Sequence, residues 1–69
     1  MKNEWVEGFK IEVRSEEDSV TISANKAGLL SLAKQLNTLA GIKVGSHIHL
    51  DDTNSLEDGS AELVIEKIR

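Results

Sequence analysis

The sequence predicts a single α+β domain over residues 1–69: a four-stranded sheet in ββαββ order with one helix packed on one face. Three observations carry this reading. Apolar and polar residues alternate with a period of two on either side of a central segment. That segment spaces its apolar residues by three and four. A chain of 69 residues is also too short to be divided between two cores.

From Trp5 to Val13 the apolar residues Trp5, Phe9, Ile11 and Val13 fall at odd positions, with Lys10, Glu12 and Arg14 at even ones. This is the pattern of a half-buried first strand, with Gly8 marking a bulge or the strand's beginning. Ser15-Glu16-Glu17-Asp18 reads as a polar turn, after which Val20, Ile22 and Ala24 alternate with Thr21 and Ser23 in a returning strand. The helix is expected over Lys26–Ala40, with Leu29, Leu32, Ala33, Leu36, Leu39 and Ala40 forming its apolar stripe. Ser23 or Asn25 caps its start, and Gly41 suits a left-handed residue at its end. A third strand, His47 to Asp51, points Ile48 and Leu50 one way and His47, His49 and Asp51 the other. After a polar loop from Asp52 to Ser60, a fourth strand sets Leu63 and Ile65 toward the core and Glu62, Val64 and Glu66 away from it. The expected core is Phe9, Ile11, Val13, Val20, Ile22, Leu29, Leu32, Ala33, Leu36, Leu39, Ile48, Leu50, Leu63 and Ile65. The pattern leaves the strand order open.

The net charge of −4 is unevenly distributed. Residues 1–40 carry five basic and six acidic side chains, and residues 41–69 carry three basic and six acidic. With no basic cluster to meet phosphates, nucleic acid is not an expected ligand; a basic protein is the better electrostatic match. The absence of cysteine excludes a disulfide framework and fits a reducing compartment. The start of the chain has no apolar run and no stretch is long enough to span a membrane, so a cytoplasmic location is expected.

Residues that carry chemistry are few. Alternation places His47, His49 and a carboxylate on one sheet face, with Glu62 and Glu66 beside them, and two imidazoles two residues apart can share a divalent metal. A face of solvated polar side chains accounts for the same residues, and with no third histidine no metal or other cofactor is expected. His47 and His49 remain the candidates if there is one. No nucleophile stands beside a histidine except loop residues Ser55 or Ser60, so an enzyme is not expected. Gly41-Ile42-Lys43-Val44-Gly45-Ser46 has its lysine before the second glycine and no helix after it, and is not a phosphate loop. The loop Asp51-Asp52-Thr53-Asn54-Ser55-Leu56-Glu57-Asp58-Gly59 lacks the ligand spacing of a calcium loop. It is nonetheless longer than a hairpin needs, and an acidic loop presenting one apolar side chain, Leu56, suits protein recognition. The expected partner-binding set is therefore Asp51, Asp52, Leu56, Glu57 and Asp58 from the loop, and His47, His49 and Glu62 from the sheet face. Trp5 is expected to cap the end of the core.

Three ordered stretches, Gly28-Leu29-Leu30-Ser31-Leu32-Ala33-Lys34-Gln35-Leu36, Gly45-Ser46-His47-Ile48-His49-Leu50-Asp51 and Asn54-Ser55-Leu56-Glu57-Asp58-Gly59-Ser60, resemble the Immunity protein 32 family. With Glu62-Leu63 and Ile65-Glu66-Lys67, the resemblance covers roughly residues 20–68. It implies the immunity half of a bacterial polymorphic toxin system: a small cytosolic protein that binds and neutralises a toxin domain. It carries over no catalytic residue and no defined interface. Many toxin domains are nucleases with a basic cleft, which an acidic surface can occupy. A small self-associating module, with a homodimer formed over the uncovered sheet face, is the alternative.

Overall fold

The computed structural model describes residues 5–69, and five elements run through it. β1 (Ile11–Glu16) and β2 (Ser19–Ala24) pair antiparallel around the two-residue turn Glu17–Asp18, with Ile11 opposite Ala24 and Val13 opposite Ile22. α1 (Lys26–Ala40) follows at once. β3 (His47–Leu50) and β4 (Leu63–Glu66) form a second antiparallel pair, with Ile48 opposite Ile65 and Leu50 opposite Leu63.

The helix starts where it does because Asn25 is committed to its first turn and to the chain before β1. The side-chain Oδ1 accepts hydrogen bonds from the Gly28 amide at 2.7 Å and the Lys10 amide at 3.0 Å, while Nδ2 donates to the Gly8 carbonyl at 3.0 Å. The helix can approach this segment closely because Gly28 lacks a side chain: a Cβ there would overlap the Lys10 carbonyl oxygen and sit 3.0 Å from both Ala24 Cβ and Ile11 Cγ1. Further along α1, Ser31 is fully buried; its Oγ accepts from the Val6 amide at 2.7 Å and donates to the Ala27 carbonyl at 2.8 Å.

The single four-stranded sheet expected from the sequence is not formed; there are two separate two-stranded sheets. The reason lies along the outer edge of β1, where a loop rather than a strand arrives. The Glu57 and Ala61 amides donate to the Ile11 and Val13 carbonyls at 2.9 and 2.8 Å. Between them the Val13 amide finds a side-chain acceptor, Ser60 Oγ, at 3.2 Å. The edge is thus satisfied from the Ile11 carbonyl to the Val13 carbonyl, but the left-handed Gly59 (φ 85°) and the serine hydroxyl standing in for a main-chain acceptor interrupt the regular ladder.

The core also differs from the expected one. Ile11, Val13, Leu32, Leu50 and Leu56 form the buried cluster, with Trp5, Phe9, Ala24, Ala61 and Leu63 packed against it. α1 buries Gly28, Ser31, Leu32, Gln35 and Leu39, a stripe rotated from the one predicted. Leu29 and Leu36 are 56% and 44% exposed, and Ala33, Val20 and Ile22 are exposed as well. The hydrogen bond of Ser31 to Val6 and the close approach at Gly28 turn this face inward, leaving one shoulder of a wide apolar arc uncovered.

Two ends also shift. β1 begins at Ile11 rather than near Trp5, because Gly8 has φ 83° and the Phe9 amide turns back to the Val6 carbonyl at 3.1 Å. Gly41 is right-handed (φ −91°), not left-handed. The helix needs no left-handed cap because Lys67, reaching over from the end of β4, donates its Nζ to the Ala40 and Ile42 carbonyls at 2.7 and 2.6 Å.

Candidate partner-binding surface

Pairing of β3 with β4 decides what the outer face of this sheet presents. His47 lies opposite Glu66 and His49 opposite Val64, and these four side chains point away from Ile48, Leu50, Leu63 and Ile65. All four are exposed. The predicted clustering of His47, His49, Asp51 and Glu62 is realised in part: His49 Nε2 contacts the Glu62 carboxylate and lies 3.6 Å from Asp51 Oδ2. His47 stands apart, two residues along the strand. Among the described residues no three histidine or carboxylate side chains converge as a metal-ligand group.

The acidic loop is shaped by its own side chains. Asp51 Oδ1 accepts from the Thr53 amide at 2.9 Å and from Thr53 Oγ1 at 2.6 Å, and its carbonyl receives the amides of Asn54, Ser55 and Leu56. Asn54 fastens the loop to the strand, Nδ2 donating to the His49 carbonyl and Oδ1 accepting from the Asp51 amide, each at 3.1 Å. Asp52 receives the Gly59 amide at 3.4 Å. Glu57 and Asp58 are exposed, and neither is in an ion pair with any described residue.

Leu56 is not where the sequence suggested. It is 6% exposed and part of the core cluster, so it holds the loop down instead of presenting an apolar contact to solvent. Trp5 packs on the core as expected and stacks on Phe9, their centroids 4.8 Å apart.

Hydrogen bonding to Thr53, chiefly from its hydroxyl, holds the Asp51 carboxyl below the usual aspartate range, with the backbone amides and His49 adding to it. An Asp whose pKa is lowered in the folded state adds stability that is fully present above its unfolded pKa of about 4 and is lost as pH falls through the lower folded value. Asp51→Asn is accordingly expected to melt below the wild type at pH 6, with the gap closing toward pH 2. Thermal unfolding of both proteins across that range checks the sign; a gap that persists unchanged in acid would assign the loss to shape and not to charge.

Sequence reasoning missed a second feature beside this face. A groove of about 450 Å³ is lined by Trp5 and Phe9, by Gln35 of α1, by Ile48, His49 and Leu50 of β3, and by Asn54 and Ser55. No helix of the described residues is long and apolar enough to cross a membrane. The family model described as Immunity protein 32 matches residues 19–68. Neither a curated protein nor a solved structure matches the chain.

Proposed function

The chain belongs to the Immunity protein 32 family, and from that membership we propose that it neutralises a cognate toxin domain by covering it with an acidic surface. The supporting observation is the charge distribution. Between Val44 and Glu66 there are six carboxylates and no lysine or arginine. Asp52, Glu57, Asp58, Glu62 and Glu66 are all exposed, while Asp51 is half-buried and committed to shaping the loop. A field of one sign on a small body attracts a basic partner and orients it during encounter. The partner class that fits is a toxin domain with a basic cleft, such as a nuclease, met in the cytosol. Inhibition on this reading is steric and electrostatic, with no catalytic role for His47 or His49. Leu56, being buried, is not a contact residue in it.

The test is the association rate with a candidate cognate toxin domain. Asp52→Lys combined with Glu57→Lys is expected to slow association on the order of tenfold at low salt, with the difference shrinking as salt rises. Both sites are exposed and the one bond lost, from the Gly59 amide to Asp52, is long at 3.4 Å, so the effect on folding should be small. An association rate indifferent both to salt and to the double reversal would overturn the electrostatic mechanism.

A further inference from the structure

Gln35 sits in the middle of α1 on its buried side, 5% exposed, and its Nε2 has no hydrogen-bond partner among the described residues. A buried amide without a partner is destabilising, and such groups are rare in folded proteins. Ser31, one turn earlier on the same stripe, satisfies both of its hydrogen-bonding roles. Gln35 differs in one respect: it lines the groove.

The other walls of that groove are well suited to an apolar guest. Trp5 and Phe9, the chain's only tryptophan and only phenylalanine, both line it, and Ile48 and Leu50 complete the apolar side. The polar groups of Asn54 are already used, its Oδ1 accepting from Ser55 Oγ at 2.6 Å as well as from Asp51. Gln35 is therefore the buried group left to pair with a guest. A carboxamide has the donor and acceptor of a peptide group, and its natural partner is another peptide group. The rim carries His49, whose ring contacts Glu62 and faces Asp51, and the loop that forms one wall continues into Asp52, Glu57 and Asp58.

We propose that this groove is the anchor pocket of the toxin interface: it receives one large apolar side chain from a basic segment of the partner, whose adjoining main-chain peptide group pairs with the Gln35 carboxamide. The proposal rests on the toxin-binding reading and adds to it a specific point of attachment. A volume of about 450 Å³ accommodates one such side chain with its peptide group. Aromatic walls around a single inserted side chain, with charges kept to the rim, are the arrangement in which a few residues supply most of an interface's affinity.

Trp5 makes the groove self-reporting, because all tryptophan fluorescence of this chain comes from its wall. The probe is the capped peptide acetyl-Gly-Arg-Leu-Arg-Gly-amide, titrated into the full chain. The expected result is a saturable blue shift of Trp5 emission, weakened about tenfold or more when glutamate replaces the two arginines, and similarly in Gln35→Leu. Gln35→Leu keeps the approximate shape and removes an unpaired buried amide, so it is expected to melt higher than the wild type while binding less well. No saturable shift, an equal response to the acidic peptide, or an undiminished response in Gln35→Leu would each overturn the proposal. The toxin complex separates this inference from the reading beneath it. A toxin domain held equally well by Gln35→Leu and by wild type would sink the groove and leave immunity standing. If the wild type held no toxin, the toxin reading would fail, and the groove would no longer be an anchor for one.

Discussion

Replacing Gly28 with alanine is expected to destabilise the protein by about 2 kcal/mol or more, even though alanine is the better helix former by about 1 kcal/mol. The added Cβ would overlap the Lys10 carbonyl oxygen, which is main chain and cannot rotate away, and would crowd Ala24 and Ile11. Relief requires moving the helix start away from β1, and that movement would also strain the three hydrogen bonds of Asn25. A domain of this length has only about 3–10 kcal/mol of total stability, so the loss should show as a drop in melting temperature of about 10 °C or more. Gly41→Ala is the control. Gly41 is right-handed, and a new Cβ there would meet the Thr38 carbonyl oxygen at an ordinary 3.6 Å, so this change should be neutral or slightly stabilising. Equal melting temperatures for Gly28→Ala and wild type would show that the contact at Lys10 yields readily.

Leu56→Ala is expected to cost about 3 kcal/mol, within the usual range for removing a buried leucine. Its side chain fills the core between β1 and β3, together with Ile11, Val13, Leu32 and Leu50. The bonds from Glu57 to Ile11 and from Ala61 to Val13 depend on that anchorage, so losing it also weakens the seam between the two sheets. Urea unfolding of Leu56→Ala beside Glu57→Ala separates a core residue from a surface neighbour: the first midpoint should fall markedly and the second should stay within experimental spread. If both fell little, Leu56 would be the exposed contact that its polar surroundings suggest.

The contrast between Leu56 and its surroundings shows what could be read from the chain and what could not. Local patterns translated well. The three- and four-residue spacing identified α1, the flanking Asn25 and Gly41 bounded it at Lys26 and Ala40, and period-two parity correctly put His47 and His49 on one face with Ile48 and Leu50 on the other. Features that depend on distant partners were hidden. The apolar arc of α1 is wider than the surface that covers it, and only the contacts of Gly28 and Ser31 with the segment before β1 decide that Leu32 and Leu39 turn inward while Leu29 and Leu36 do not. Gln35 looks like a surface residue in any helical pattern. Its burial, and the groove it lines, arise where residues as far apart as Trp5 and Ser55 meet. A signal for Leu56 did exist: it is the one large apolar residue in a polar loop, and such a residue is more simply an anchor than an ornament. The sheet was misjudged because a serine hydroxyl can accept the hydrogen bond of a strand amide, which alternation does not reveal.

The break between the two sheets also means that each hairpin must keep its own alignment. Were β1 and β4 joined by a ladder, a one-residue slip in either pair would disturb the other; here nothing of that kind opposes it. Such a slip between β3 and β4 would turn one strand's core residues outward. In the first hairpin a two-residue turn leaves little freedom. In the second, the whole stretch from Asp51 to Glu62 intervenes, and alignment is set at both ends. Asn54 clasps the His49 carbonyl and the Asp51 amide at one end, and Lys67 exchanges backbone bonds with Gly45 and Ser46 at the other. The acidic loop is thereby the key that fixes which side chains the neighbouring strands show. An insertion or deletion next to Asn54 would rearrange the histidine face without touching a residue on it.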